Sequence, residues 1–552
     1  MPISPWLIAD NGVRNPKRLK DGLRVLVNSE FHGNFSRENE AGMVQLLADE
    51  GVISIQTNTD NTIARKWRLN LIRLGFIDPH THIVTENGRR LIHSSSLPSE
   101  EECFLRSLIA HQLPSSIHSF TSEDIKPFSP LRMVLEIIKG LEQRGEDPQI
   151  TKNELASIVV LRYDMDRIYE IINEIIYYRN ERSNSDNKKR FENNFRDNVS
   201  QEHGNISSQS LKDYADVNIR YLKLTGLFAE DGRNLTVAVH KEIMVNQIVQ
   251  QPYTPIPDDV YETVLAQGAP LPTDDEHEAI IAINNLHSLL ISHGEVVAPL
   301  QNLQSLSVQD LSQLRLQLEN DWIHVLEKRY ADQQMEQWQD ILEYLNALQN
   351  HRNSRKIPNG EAPAYLEWAV WRAFLAMNAL KNQPWEARRF KVDRSFLPVR
   401  HAPGGGPDMI FEFENFVIIM EVTLTSSSRQ EAAEGEPVRR HVAQYIDKFE
   451  ENNKRVYGIF IANNIDTNTA ETFRIGVWYR TDDSELTLQI IPITLSDFSK
   501  LFKAIFEKER ADQAQHIIMQ LMNNLLSFSN SRAPIWKRII NEEITKEIDL
   551  LS

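Results

Sequence analysis

A single cysteine, Cys103, stands in 552 residues, so the chain can form no internal disulfide and is not a stapled secretory scaffold. Its neighbours Glu101, Glu102, Phe104 and Leu105 form no partner motif, and it reads as a packing residue. No run of about 18 apolar residues occurs, which argues against a membrane span. The opening Met1-Pro-Ile-Ser-Pro-Trp6 lacks the basic-then-apolar order of a secretory signal, so a cytoplasmic location is expected. HExxH, zinc-type cysteine pairs, the GxSxG elbow and the Walker A loop are also missing. His80-Thr81-His82 could chelate, but alternate residues of a hairpin share a face anyway, so the pair is read as structural.

Positive charge is short too: 60 Lys and Arg stand against 77 Asp and Glu, a net of −17. The deficit is local. Residues 251–350 hold 3 basic against 16 acidic residues, a net of −13, and the remaining residues together carry only −4. Basic patches therefore remain open elsewhere, and the charge does not exclude a nucleic-acid partner.

At about 100–200 residues per domain the length implies three or four domains. Residues 1–105 read as helix, basic helix and hairpin. Glu38–Gly51 and Asn61–Leu74 carry helical apolar spacing, Gly75 ends the second helix, and Asn87-Gly88 signals a turn between His80–Thr85 and Arg89–Ile92. That is the order of a winged helix, which sets a helix into a DNA groove. Arg65, Lys66 and Arg68 are its candidate DNA contacts. Residues 106–255 repeat the pattern more loosely, with a capping-box start at Thr151–Glu154, a helix over Leu211–Leu224, Asp231-Gly232 and the strand Leu235–Val239. Between them Lys188-Lys189-Arg190 reads as a charged loop, either solvated or touching phosphates. Residues 256–350 read as an acidic helical linker, preceded by proline-rich chain and built around a long amphipathic helix over Leu311–Leu348. Residues 351–552 read as an α/β domain of three layers. The fold class expected is thus multidomain and mainly α, with winged-helix-like units, a helical linker and a C-terminal α/β domain.

The chemistry concentrates at Pro407-Asp408 and Glu421-Val422-Thr423. A two-residue turn at Glu414-Asn415 would set Asp408 directly opposite Glu421, on one face, with Cβ atoms about 4.5–5.5 Å apart. Two carboxylates so close repel unless a cation lies between them, and magnesium is the natural occupant. One residue of slip would put them on opposite faces, leaving two unrelated surface acids.

Pro407-Asp408-Met409, Glu421-Val422-Thr423 and the run Glu434–His441 together resemble the catalytic segment of the AlwI family of type IIS restriction endonucleases, within the PD-(D/E)xK nucleases and with strand-nicking relatives. The likeness is strongest over about 355–505. It implies that Asp408, Glu421 and the Val422 carbonyl hold Mg2+, that Glu434 and His441 are catalytic, and that Glu367 is the family's further upstream acid. Thr423 departs from the pattern, standing where a lysine is expected; His441, Arg439 or Arg440 would have to make up the loss. The resemblance implies a bacterial enzyme that binds double-stranded DNA and cuts at a fixed distance, with a second copy or a small partner subunit cutting the other strand, or a nicking enzyme. The rivals are a repair nuclease that reads DNA structure and a winged-helix regulator with an inactive nuclease-like domain.

Overall fold

Apolar residues at helical spacing dominate the first three hundred positions, and helices follow from them. The computed structural model describes residues 4–10, 12–13, 15–53, 62–118, 125–203, 206–229, 234–350, 354–425, 429–450 and 454–551. The chain forms two units, Met1–Ile323 and His324–Ser552. It is mainly helical, with small sheets. Among the described residues no helix is long and apolar enough to cross a membrane.

In the first unit Leu19–Val27, Glu40–Asp49 and Thr62–Arg73 are helices, and Leu23, Met43, Leu47, Trp67 and Leu71 of these enter one core. The expected helix start at Asn61 lies outside the described residues. Gly75 ends the third helix at φ +70°, where a Cβ would fall 2.3 Å from the Leu265 carbonyl oxygen, so only glycine fits there. The expected hairpin does not form. Glu86–His93 is a helix, and one isolated bridge, Ile77 to Val84, is what pairs here. Thr85 caps the helix by accepting from the Gly88 N–H at 3.0 Å. Asn87 is buried, donating to the Cys103 carbonyl and the Ser107 hydroxyl, so Asn-Gly here is helix interior rather than turn.

Further on, the order is helix Pro130–Gln143, strand Gln149–Ile150, helix Lys152–Ser157, two helices Ile168–Ser183 and Lys188–His203, then helix Ser208–Lys223 and strand Leu235–Thr236. The two short strands pair antiparallel, and Phe228 bridges Val237. Thr151 and Glu154 close the capping box as expected. Asp231-Gly232 lies outside the described residues. Lys188-Lys189-Arg190 opens a helix rather than lying in a loop, because Asn187 caps it by accepting from the Arg190 N–H. The acidic block is helical over Asp258–Gln267, Glu276–Ser292, Val308–Asp332 and Trp338–Gln349. The single long helix read over Leu311–Leu348 is therefore two. In the second unit the buried Arg372 donates to the side-chain carbonyls of Gln334 and Gln337, which fixes the break.

The second unit is built on a four-stranded mixed sheet. Its strands are β1 (Met409–Glu412), β2 (Phe416–Thr423), β3 (Arg455–Ala462) and β4 (Ile490–Thr494), in spatial order β4-β3-β2-β1. The β1–β2 pair is antiparallel and the others are parallel. Alternation along β2 divides two cores. Phe416, Ile418 and Met420 pack toward helix α1 (Ala362–Ala376), while Val417 and Ile419 face helix α2 (Glu436–Glu450) with Val438 and Val442. Burial on both faces explains why the β2 and β3 sequences run almost continuously apolar.

Candidate active site

The β1–β2 register pairs Met409 with Met420, Ile410 with Ile419, Phe411 with Ile418 and Glu412 with Val417. The turn therefore falls at Glu414-Asn415, and Asp408 and Glu421 come next on the same register, just past the paired ladder. By parity both belong to the face of Val417 and Ile419, toward α2. Asp408 Oδ2 accepts from the Val422 N–H at 2.9 Å, which ties the two strand ends together.

The remaining acids and the histidine come from helices. After β2 the chain makes a π-turn over Glu431–Gly435 and passes directly into α2. Glu434, Val438, His441 and Val442 follow at helical spacing, so the residues that anchor α2 on the sheet also carry Glu434 and His441 to it. His441 Nδ1 lies 2.5 Å from Glu421 Oε1, and its Nε2 is buried with no partner among the described residues. With Glu421 ionised, Nδ1–H donates and Nε2 is left as an acceptor. Glu367, on α1, is buried and accepts from the Ala402 N–H at 2.7 Å. Thr423, at the lysine position, hydrogen-bonds Glu434.

Charge is what these groups share. Burial, and then the charge of Glu421, raises the Asp408 carboxyl well above its ordinary range; burial and then Asp408 do the same to Glu367. Burial followed by Glu434 pushes Glu421 up to about 8. Burial also raises Glu434 against the opposing Thr423 hydrogen bond. His441 is lowered by burial and then by Arg440 and Arg389. Four carboxyl groups that each resist ionisation beside one another form a site that gains from a cation.

Among the described residues, no three His, Cys, Asp or Glu side chains are gathered tightly enough to hold an ion. Two carboxylates and a main-chain carbonyl nevertheless fit a magnesium ion that keeps water or phosphate oxygens as its other ligands. The unpartnered Nε2 of His441 adds an acceptor beside them.

The other expected contacts lie in the first unit. Arg65 is exposed, Lys66 lies 3.8 Å from Asp10, and Arg68 is held by Glu40 at 2.9 Å and by the Phe35 carbonyl. Arg68 thus braces its own fold, and Arg65 is the most accessible of the three. Lys188, Lys189 and Arg190 are exposed. Sequence reading passed over Gln430, which is fully buried. Its amide donates to the carbonyls of Thr425 and Asn464 and accepts from the Asp466 N–H, clamping the approach to the π-turn. A lone glutamine in a polar stretch gives no periodic signal.

A β-hairpin with paired acids, a buried histidine on one of them and a parallel crossover behind them gather four carboxyl groups and an imidazole at one end of the sheet. The profile of the AlwI restriction endonuclease family matches residues 72–501, and the chain belongs to that family. Membership makes it a nuclease, a phosphodiester hydrolase. No curated protein sequence matches the chain. Among solved structures, the small subunit of the heterodimeric restriction endonuclease R.BspD6I is 27% identical, covering 38% of this chain and 98% of its own, with a TM-score of 0.29. The BpuJ1 endonuclease binding domain, solved with pyrene- and phenanthrene-modified DNA, is 13% identical, covering 48% and 96%, with a TM-score of 0.34.

Proposed function

We propose that the protein is a type IIS endonuclease of the PD-(D/E)xK kind, recognising a short asymmetric duplex sequence and hydrolysing a phosphodiester bond a fixed distance to one side. Residues 1–255 read the DNA, residues 256–350 connect, and residues 351–552 cut. The two short antiparallel strands 149–150 and 235–236, enclosing helices 152–157, 168–183, 188–203 and 208–223, support a winged-helix-like recognition unit there, with Lys188, Lys189 and Arg190 on an accessible helix start. For residues 1–105 the recognition element is helical, with Arg65 the exposed member of Arg65, Lys66 and Arg68.

The observation that carries the reading is the triad of Asp408, Glu421 and His441, joined by the Val422 N–H and the 2.5 Å Nδ1–Oε1 contact. Asp408, Glu421 and the Val422 carbonyl would hold Mg2+, which supplies charge neutralisation at the scissile phosphate and acidifies a water. Glu421 fixes the tautomer of His441, and Nε2 takes the proton of the attacking water. Glu434, steered by Thr423, and Glu367, steered by the Ala402 N–H, set the field around it. A chain with one such site cuts one strand at a time, so a double-strand break requires a second copy or a small partner subunit.

Digestion of a mixed-sequence plasmid with magnesium, with wild type and Asp408→Ala side by side, tests this. Discrete nicked or linear products from wild type alone are expected. Nicked circles as end product mean a nicking enzyme, and linear product appearing with the square of concentration means a second copy. Equal products from both proteins, or none in any divalent metal, would remove the nuclease reading.

A further inference from the structure

The Thr423 position leaves the site without its expected lysine, and a cation that the sequence pattern does not mark stands in the strand row instead. Arg388 bridges Met409 in antiparallel sense, and the Ile410 N–H donates to the Ala387 carbonyl at 3.0 Å. The same register sets Arg389 opposite Asp408, and the Arg389 N–H donates to the Asp408 carbonyl at 3.2 Å. Asp408 is in turn opposite Glu421. Arg389, Asp408 and Glu421 therefore occupy one row across three adjacent segments, and cross-strand neighbours in a row share a face.

The guanidinium is positioned by backbone. Its Nη1 donates to the Pro407 carbonyl at 3.1 Å, immediately before Asp408. A Cβ at Gly406 would lie 2.3 Å from that same Nη1, so the bare backbone of Gly406 makes its place. Arg389 is half-buried, and among the described residues no carboxylate lies within ion-pair distance of it. Its charge nevertheless acts on Glu367, Glu421 and His441 together. The alternatives are engaged. Arg440 pairs with Glu436 at 3.0 Å, and Arg439 donates to the Val477 carbonyl and lies over the Trp478 ring.

We propose that Arg389 is a catalytic residue that binds a non-bridging oxygen of the scissile phosphate, taking the part the missing lysine would have played. The proposal rests on the nuclease reading above. In the step, the water oxygen bonds to phosphorus while the bond from phosphorus to the leaving oxygen breaks. The water's proton passes to His441 Nε2 and the leaving oxygen is protonated from solvent. Arg389 exchanges no proton; it stabilises the negative charge that grows on the phosphoryl oxygens, with a planar fork suited to them.

Single-turnover cleavage of a duplex bearing the cognate site, found by the plasmid digestion, tests it in the full-length enzyme. Arg389→Gln is expected to slow cleavage about 10²–10³-fold, as loss of one transition-state donor does. Duplex affinity and the magnesium-induced rise in Tm should stay within about twofold of wild type. Arg389→Lys is expected to recover part of the rate. Gly406→Ala should displace the guanidinium and slow cleavage in the wild-type background, yet add nothing to Arg389→Gln, because neighbours acting through one group are not additive. Should Arg389→Gln fail to fold, Arg389→Lys and Gly406→Ala decide the matter. Cleavage within about threefold of wild type in Arg389→Gln, or additive losses in the double variant, would overturn the role while leaving the nuclease reading intact. Absence of cleavage by wild type in any divalent metal would defeat that reading instead.

Discussion

Asp408 and Glu421 have opposite effects on the metal-free and cation-bound protein. Burial raises both carboxyls, with Glu421 adding to the rise at Asp408 and Glu434 to that at Glu421, so without metal the folded state holds protons that the unfolded state has already released. For Glu421 the window runs from its ordinary 4.5 to about 8. Over that window the native state binds more protons than the unfolded one, so stability falls as pH rises. The expected outcome in chelator is a Tm that declines from pH 5 to pH 8, and one that declines less when magnesium is present. Asp408→Asn removes one repelling charge and should raise the metal-free Tm at pH 8 by a few degrees, roughly the effect of 1 kcal/mol on a unit of this size. It should also abolish the magnesium-induced rise. A metal-free Asp408→Asn protein that melts below wild type at pH 8 would show that the carboxylates are not in conflict.

Elements place these residues, and they differ in how much the sequence reveals of them. The 409–420 hairpin is legible because its turn is a true two-residue turn, and the register that sets Asp408 opposite Glu421 follows from it. The 80–92 hairpin misleads because Asn-Gly is a turn signal only where both residues are free to leave a helix. Here Thr85 caps, Asn87 hydrogen-bonds inside the core and Gly88 packs where a Cβ would lie 2.2 Å from the Phe76 carbonyl oxygen. Short-range chemistry is ambiguous, and tertiary burial decides it. The π-turn before α2 is likewise silent in sequence, since it depends on Gln430 reaching Thr425, Asn464 and Asp466 across the fold. Arg389 is hidden for the same reason, as its row exists only once a third segment lies beside β1. Gln430→Ala is expected to leave buried backbone groups unpaired, costing roughly 1–3 kcal/mol for each such group. Because Glu434 and His441 follow directly from this turn, cleavage should slow by more than the loss of folded protein explains. A Gln430→Ala enzyme with wild-type single-turnover rate would show that the clamp does not set the helix.

At the scale of the whole chain, the acid excess that marks residues 251–350 is partly spent on pairing. Within the first unit, Asp274 holds Arg106 at 2.6 Å, and the buried Glu319 holds Lys241 at 2.7 Å and Arg315 at 2.9 Å. Arg315 also pairs with Glu102. The block is thus packed into this unit as far as Ile323, and its charge says little about DNA. Burial alone would raise the Glu319 carboxyl, but Lys241 and Arg315 reverse that and hold it down at about 2. A depressed native value contributes stability that is fully present above about 4.5 and is lost as pH falls toward 2. Acid unfolding of the first unit, followed by tryptophan emission since Trp6, Trp67 and Trp322 are buried there, should therefore be steep below pH 4.5. Glu319→Gln leaves two buried cations short of a partner, and breaking such a network costs about 3–5 kcal/mol at neutral pH. The same variant should flatten the acid limb, because the group whose titration drives it is gone. If Glu319→Gln is as stable as wild type at pH 7, the network is dispensable; if its acid limb keeps the wild-type slope, other carboxylates carry the titration.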